Sequence, residues 1–282
     1  MVDQMVMWID AHTHIWRAVP GYSPANRTIV SPACEVPVEL LLEYMDEHDV
    51  GRAVLVQPIF PGEDNSYVAD CAQAYPERFC AVCVVDPRTE DFERRLSYWV
   101  EERGCRGLRL RPQIAEEESP FHSASFTKLW EHIAALKVVV NVLIGPDQLG
   151  LLGGWLDRFP QVPVVIDHLG YPNLSLGLKA ESFQTLQQLS RFPNLYVKAS
   201  GYYYFSQERY PFSDCWELFR AIYDQWGPER LVWGSDFPHV LLKSGYRRAL
   251  LFQERFYKFL SPRDLDLIMA QNALKLYWKN NG

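Results

Sequence analysis

Several polar residues in this sequence stand where short apolar runs end. His12 and His14 are separated by one residue near the beginning of the chain, and His168 and Asp236 each follow a later apolar run. Alternate side chains of an extended strand share a face, so Asp10, His12 and His14 are expected to point the same way. Two imidazoles on one face can bind a divalent metal or one polarised substrate oxygen. One such pair is equally consistent with ordinary histidines, but polar groups at several strand ends indicate an enzyme site.

Composition excludes several other classes of protein. The chain has 282 residues and a formal net charge of -7, which argues against a nucleic-acid or an anionic-membrane surface. The first residues resemble no signal peptide, and no apolar window is long enough to span a membrane. Six cysteines, including Cys80 and Cys83 in an unaccompanied CxxC, indicate reduced thiols. We therefore expect a cytoplasmic protein that binds a small molecule, with a homodimer as the candidate assembly.

The chain alternates apolar, strand-like runs with amphipathic, helix-like runs. Strands are predicted at residues 8–16, 53–57, 80–85, 106–111, 138–144, from 164, at 195–200 and at 231–233. Helices are predicted at residues 36–49, 64–75, 92–103, 125–136, 148–159, 180–191 and 214–225, and the tail from 246 to 279 is mostly helix.

Eight strand–helix units without a break in composition predict one domain over residues 1–282. Near-continuous apolar strands between amphipathic helices indicate a parallel sheet covered by helices. Eight units over this length fit a closed TIM (β/α)8 barrel, which is an α/β fold. An open, doubly wound sheet would need a glycine-rich phosphate turn after an early strand, and no strand here is followed by one.

The barrel predicts where the chemical residues meet. Active sites of such barrels lie at the carboxyl ends of the strands, which is where His12, His14, His168 and Asp236 are expected. Closure of the barrel brings strand eight beside strand one, so that Asp236 can face the two imidazoles of strand one.

Other strand ends supply candidate substrate-binding residues, namely Gln57, Arg109, Arg111, Lys198 and Tyr202. Cations at a pocket mouth suit a carboxylate or an oxyanion. The alternative for the arginines is ion pairing with the acidic residues 116–118, and the lysine could equally be structural. The aromatic residues 202–205 could cover a small ring or only pack a long loop.

The same stretches resemble a known family. They are Asp-Ala-His-Thr-His-Ile-Trp at 10–16, Asp-Asn-Ser-Tyr at 64–67, Gly-Leu-Arg at 107–109, Asp-His-Leu-Gly at 167–170, Val-Lys-Ala-Ser-Gly at 197–201, Trp-Gly-Ser-Asp at 233–236 and Asn-Ala at 272–273. Their order resembles the amidohydrolase superfamily, in its amidohydrolase-related branch. The group that contains 2-pyrone-4,6-dicarboxylate lactonase and the sugar-lactone hydrolases is the most similar. The resemblance implies a distorted (β/α)8 barrel and hydrolysis of a carboxylic ester within a ring.

The sequence departs from the metal-binding pattern of that superfamily. Metal-binding members usually offer a histidine at the end of strand five, and strand five of this chain, which includes Asn141, contains no histidine. His12, His14 and Asp236 could supply the three protein ligands that a zinc site needs, with His168 nearby. The resemblance therefore implies either no cofactor or one divalent metal, with zinc favoured. We expect a metal-independent or weakly metal-binding site.

The resemblance also implies roles for these residues. Asp236 is expected to be the general base that activates water, while His12, His14 and His168 polarise the lactone carbonyl, directly or through a metal. Arg109 is expected to anchor a carboxylate or hydroxyl of the substrate. The alternatives are a metal-dependent decarboxylase of the aminocarboxymuconate-semialdehyde type, a hydrolase of another ester or amide, and a non-catalytic binding barrel.

Overall fold

Eight parallel strands form the centre of the molecule. The computed structural model describes residues 7–18, 30–59, 62–111 and 126–278. The strands are β1 Trp8–Thr13, β2 Val50–Val56, β3 Phe79–Val84, β4 Gly107–Leu110, β5 Val139–Val142, β6 Val164–Ile166, β7 Leu195–Ala199 and β8 Leu231–Trp233. They lie in sequence order, and each pairs with the next in parallel.

The two ends of the sheet meet beyond the last residue of β8. The amide of Asp236 donates to the carbonyl of His12 at 2.8 Å, and the amide of His14 donates to the carbonyl of Phe237 at 2.7 Å. This seam closes the sheet into a ring, so the predicted (β/α)8 barrel is confirmed.

The helices cover the outside of this barrel. They are α1 Val38–Glu47, α2 Ser66–Ala74, α3 Phe92–Ser97, α4 Thr127–Leu136, α5 Leu152–Arg158, α6 Glu181–Leu189, α7 Trp216–Trp226, α8 Tyr246–Leu250, α9 Phe252–Phe256, α10 Pro262–Asp266 and α11 Asn272–Tyr277. The predicted helical tail is divided, because α10 begins anew at Ser261, whose hydroxyl caps the helix immediately before Pro262. No helix in these described ranges is long and apolar enough to cross a membrane.

Strand residues alternate between two apolar environments. Val54 and Val56 belong to the cluster inside the barrel, while Ala53 and Leu55 belong to the cluster under the helices, and all four are fully buried. The same alternation separates the CxxC cysteines between the two clusters, and all six cysteines are free thiols. Burial on both faces explains why the strands read as continuous apolar runs.

The last helix packs inside one end of the barrel. Ala273, Leu276 and Tyr277 of α11 lie in the interior cluster with Ile9 and Tyr196 from strands β1 and β7. Tyr277 extends a hydroxyl further into the barrel. Apolar packing closes this end of the barrel. The polar residues at the carboxyl ends of the strands lie at the opposite end.

Candidate active site

The imidazoles of His12, in β1, and His14, directly after β1, point at one another. Nε2 of His12 lies 3.1 Å from Nε2 of His14. The expectation that Asp10 would share their face is wrong, because the pairing register of β1 shifts between Asp10 and Thr13. Asp10 instead accepts hydrogen bonds from the amide of Ser235 at 2.8 Å and from the hydroxyl of Tyr246 at 3.0 Å. Asp10 therefore links β1 to the segment that follows β8.

One backbone carbonyl determines which ring nitrogen of His14 carries the proton in the neutral form. Nδ1 of His14 lies 2.7 Å from the carbonyl oxygen of Val56. A carbonyl can only accept a hydrogen bond, so Nδ1 carries the proton of the neutral ring. Nε2 of His14 therefore presents a lone pair to the site.

Asp236 faces the imidazoles with one oxygen and two tyrosines with the other. Its Oδ1 lies 3.5 Å from Nε2 of His12, 3.3 Å from Nε2 of His14 and 4.0 Å from Nε2 of His168. Its Oδ2 accepts hydrogen bonds from the hydroxyls of Tyr203 and Tyr204, the second at 2.7 Å. Within the part of the chain that the structure describes, Oδ1 has no hydrogen-bond partner.

The carboxyl of Asp236 is held in its ionised form. Burial by itself would raise its pKa, but nearby imidazoles, with His168 and His14 foremost, bring the pKa well below the usual range. Asp236 also has a φ of 61°, in the left-handed region that few residues other than glycine adopt. Such a conformation is costly and is found where surrounding structure enforces it, often at functional sites.

His168 is placed by an unusual turn after β6. His168 and Leu169 have φ values of 51° and 55°, so the chain turns through the left-handed region directly after the strand. Nδ1 of His168 lies 2.9 Å from the hydroxyl oxygen of Ser200, which fixes the ring. Gly201 has to be a glycine, since a Cβ there would lie 2.5 Å from that Nδ1. Burial lowers the pKa of His168 to about 4, so the ring is neutral near pH 7.

A buried cluster of charges lies beneath the imidazoles. Nζ of Lys198 is 3.0 Å from Oδ1 of Asp167, 2.9 Å from Nδ1 of His12 and 2.9 Å from Oδ1 of Asn141. Arg109 donates to Oδ2 of Asp167 from Nε at 3.2 Å and from Nη2 at 3.1 Å. Burial would raise the pKa of Asp167, but Lys198, His12 and Arg109 hold it well below its usual range. The sequence analysis did not identify Asp167 as the partner that neutralises these cations.

Several of the predicted substrate-binding residues contact other protein groups instead of open space. Lys198 is fully buried, and its ammonium group is paired with Asp167. Gln57 donates from Nε2 to the carbonyl of Asp64 at 3.0 Å and so holds the loop after β2. The hydroxyl of Tyr202 faces Gln253 at 3.5 Å, whereas its neighbours in sequence hold Asp236.

Arg109 and Arg111 remain next to open space. Both line a cleft of about 310 Å³ beside the ends of β3 and β4, together with Arg88. The acidic residues 116–118, which were the alternative partners of these arginines, lie outside the described residues. The role of the arginines in substrate binding stays a prediction.

His239 is a site residue that the sequence analysis missed. It is buried three positions after Asp236, and one of its ring nitrogens lies within 4.8 Å of ligand atoms of His14 and Asp236. The available signal was its position directly after Asp236-Phe237-Pro238, in the same loop at the end of strand eight.

The donor set fits one divalent cation. His12, His168 and Asp236 each offer one ligand atom, and these atoms lie within 4.8 Å of one another. Nε2 of His14 lies 3.3 Å from Oδ1 of Asp236, and His14, Asp236 and His239 form a second group whose ligand atoms lie within 4.8 Å of one another. Neutral imidazoles and a carboxylate are the ligands that zinc prefers in proteins.

We predict that metal-stripped protein binds one equivalent of zinc, because these donors converge on one position. Calorimetric titration measures the stoichiometry, and His168→Gln should weaken binding, whereas His132→Gln, on the outside of the barrel, is the matched control. The same samples test the sequence-based expectation that metal is not essential. Turnover that survives prolonged chelation would support that expectation, and a loss that one equivalent of zinc reverses would contradict it.

Comparison with known proteins agrees with this geometry. A sequence model of the amidohydrolase family matches residues 9–278. The chain is 27% identical to a 4-sulfomuconolactone hydrolase of Hydrogenophaga intermedia, over 84% of this chain and 75% of that protein. It is 26% identical to an L-fucono-1,5-lactonase of Burkholderia ambifaria, over 97% of this chain and 96% of that protein.

A solved structure has the same fold. It is a zinc-bound amidohydrolase from Burkholderia multivorans, which superposes with a TM-score of 0.83 over 96% of this chain and 99% of that chain, at 24% identity. The family match extends over nearly the whole described barrel and includes every residue of the imidazole and carboxylate cluster. The protein therefore belongs to the amidohydrolase family.

Proposed function

We propose that the protein is a hydrolase that opens the ester bond of a small lactone with water activated by Asp236. The observation that supports this most directly is the asymmetric environment of the Asp236 carboxylate. Two tyrosine hydroxyls hold Oδ2, while Oδ1 is ionised, unpartnered and directed toward three imidazoles. This arrangement suits a general base with one oxygen free to take a proton. The relatives described above carry the lactone-hydrolysing function expected from the sequence.

The reaction begins with a water molecule bound at Oδ1 of Asp236. The carboxylate takes one proton from the water while the water oxygen forms a bond to the lactone carbonyl carbon, and a tetrahedral oxyanion results. When this intermediate collapses, the bond to the ring oxygen breaks, and protonated Asp236 returns the proton to that oxygen. The products are a carboxylic acid and an alcohol in one open chain, and the base is regenerated.

The imidazoles surround the position of the reacting oxygen atoms. His12, His14 and His168 would hold a divalent cation together with Asp236, and such a cation supplies Lewis-acid polarisation of a carbonyl when it is bound. Beneath them, Lys198 and Asp167 fix the orientation of His12. Nδ1 of His12 lies 2.9 Å from Nζ of Lys198 and 3.3 Å from Oδ1 of Asp167. Support of this kind holds a catalytic group within the small tolerance that the chemistry allows.

Arg109 is the best candidate for substrate recognition at the rim. Its guanidinium is bound to Asp167 on one side and lines the cleft on the other. A substrate carboxylate or sulfonate, or a hydroxyl group, could accept hydrogen bonds from the remaining N–H groups. A polyhydroxylated or anionic lactone is therefore the expected substrate class.

Arg109→Met should lower kcat/KM by the equivalent of about 2–5 kcal/mol, which is typical when one member of a buried charged pair is truncated. Steady-state kinetics and thermal melting should be measured together, with Arg106→Met at the start of β4 as the control. Normal kinetics with a lowered melting temperature would show that Arg109 serves only its pair with Asp167.

A decarboxylase remains the second candidate from the sequence, but the composition of strand five counts against it. The strand-five residue is Asn141, whose Oδ1 accepts hydrogen bonds from Lys198 and, at 2.6 Å, from the hydroxyl of Tyr277. Strand five contains no histidine, which decarboxylases of this type normally have there. The predicted cytoplasmic location and homodimer stay predictions.

The proposed function is tested by incubating the purified protein with L-fucono-1,5-lactone, 4-sulfomuconolactone and 2-pyrone-4,6-dicarboxylate. Proton release and mass spectrometry should show the open-chain acid, 18 mass units above at least one lactone, at rates above buffer. Carbon dioxide release from the dicarboxylate without ring opening would favour the decarboxylase. Turnover of none of the three lactones would contradict the proposal.

A further inference from the structure

His239 lies beside the proposed base without a role in the mechanism above. It begins the 3₁₀ turn His239–Leu242 and is 6% exposed. Its ring centroid is 5.5 Å from that of His14, and a ring nitrogen lies within 4.8 Å of ligand atoms of His14 and Asp236. The question is therefore whether this imidazole offers a lone pair or a proton to the site.

The backbone amide of Val30 determines which ring nitrogen of His239 carries the proton. The N–H of Val30 donates to Nδ1 of His239 at 3.0 Å. An amide nitrogen cannot accept a hydrogen bond, so Nδ1 must present its lone pair, and the single proton of the neutral ring is on Nε2.

His14 and His239 consequently have opposite roles. The carbonyl of Val56 places the His14 proton on Nδ1, which leaves a lone pair on Nε2, and the amide of Val30 places the His239 proton on Nε2. His239 has no lone pair available for a metal, although it was close enough to be a ligand. Within the described part of the chain, the hydrogen bond found for the His239 ring is the one that Nδ1 accepts from the Val30 amide.

An N–H donor beside the base has a definite use in ester hydrolysis. The carbonyl oxygen gains a full negative charge as water adds, and a donor already aimed at that oxygen stabilises the charge without reorganisation. Asp236 is the base and His14 is an acceptor, so neither can supply this hydrogen bond. His239 is held on both sides, by the Val30 amide and by the rings of His14 and Trp16.

We propose that His239 is a further catalytic residue, which donates its Nε2–H to the lactone carbonyl oxygen and stabilises the oxyanion. This inference rests on the proposed lactone hydrolysis. It assigns the four imidazoles of the site to two tasks, in which His12, His14 and His168 face a shared cation position and His239 provides the proton donor.

The test compares His239→Met, which keeps the approximate size but removes the donor, with His239→Gln, which keeps an N–H near the position of Nε2. The Met variant should lose about 10²–10³-fold in kcat, the effect of removing one oxyanion donor, with little change in KM. The Gln variant should recover at least tenfold of that loss, and both should still bind one equivalent of zinc. A loss of the zinc equivalent in the Met variant would show a ligand instead and overturn the inference.

Two further readouts separate the remaining outcomes. Nitrogen-15 NMR of wild-type protein labelled at histidine should show His239 as the Nε2–H form, and the Nδ1–H form would overturn the inference even if the Met variant does not fold. Wild-type turnover of a lactone together with an equally active, folded Met variant would also overturn it, while the proposed function would stand. If wild-type protein hydrolyses none of the three lactones, the proposed function fails, and this inference fails with it.

Discussion

Asp236→Asn should lower lactone turnover by about 10²–10⁴-fold, the usual contribution of a general base. Asparagine keeps the size of the side chain and can still accept hydrogen bonds from Tyr203 and Tyr204, but it cannot take a proton from water. The fold should survive, because the seam hydrogen bond at this position uses the backbone amide of Asp236 and not its side chain. Steady-state kinetics and circular dichroism of the purified variant measure both effects.

Asp214→Asn is the matched control for this variant. Asp214 is also a partly enclosed carboxylate that accepts hydrogen bonds, from Ser206 and from the amide of Gln207, but it lies outside the imidazole cluster. Near-normal turnover of Asp236→Asn would show that Asp236 only positions other groups, and the base would have to be sought among His12, His14 and His168.

The pH dependence of wild-type protein should follow from Asp236 and His168 together. The pKa of Asp236 is held well below its usual range, so the base is ionised at neutral pH and is protonated only in strong acid. Activity should therefore be level through pH 6.5, where an ordinary histidine titrates, and should fall only as the solution approaches pH 4, near the pKa of about 4 of His168.

Lys198→Met should destabilise the fold by about 3–5 kcal/mol, because removal of one partner of a buried ion pair leaves an uncompensated charge. Lys198 is fully buried, and its loss would leave Oδ1 of Asp167 and Oδ1 of Asn141 without their shared donor. Turnover should fall as well, since the same ammonium group contacts Nδ1 of His12.

Urea unfolding of Lys198→Met and Lys275→Met measures the difference. Lys275 is an exposed lysine of α11 whose ammonium contacts only the rim of the barrel interior, at the hydroxyl of Tyr196 at 3.3 Å, so its loss should change stability by less than about 0.5 kcal/mol. If both variants were equally stable, Lys198 would not be a structural cation, and its predicted role in substrate binding would become the better explanation.

The fold and the meeting of His12, His14 and Asp236 could be predicted because both depend on local pattern. Strands buried on both faces read as apolar runs, and each run ends where a polar residue or proline begins. The rule that catalytic residues lie at the carboxyl ends of barrel strands then brings Asp236 next to His12 and His14, as the seam between β8 and β1 shows. No long-range information was needed for this step.

The orientation of individual side chains could not be predicted in the same way. Asp10 departs from simple alternation because the register shifts in the middle of β1. Tyr202, Tyr203 and Tyr204 form a 3₁₀ turn after Gly201, whose φ is 66°, and only the second and third direct hydroxyls to Asp236. A turn of this kind depends on backbone geometry that residue type alone does not reveal.

Pairings between distant strands were also beyond the sequence. Asp167 joins Arg109 of β4 and Lys198 of β7, whereas the sequence offered only residues 116–118 as acidic partners for the arginines and left the role of the lysine open. The proton positions on His14 and His239 depend on a carbonyl and an amide from other segments, at Val56 and Val30. These partners are set by the closed barrel, so they become visible only in three dimensions.

A single-turnover reaction in ¹⁸O-labelled water, with enzyme in excess over the lactone, tests the central claim most directly. If Asp236 activates water as a base, the label enters the new carboxylate of the product during the first turnover, and the peptide that contains Asp236 stays unlabelled in mass spectrometry. Label in the Asp236 carboxylate, with an unlabelled first product, would show that Asp236 attacks the lactone itself and would contradict the mechanism.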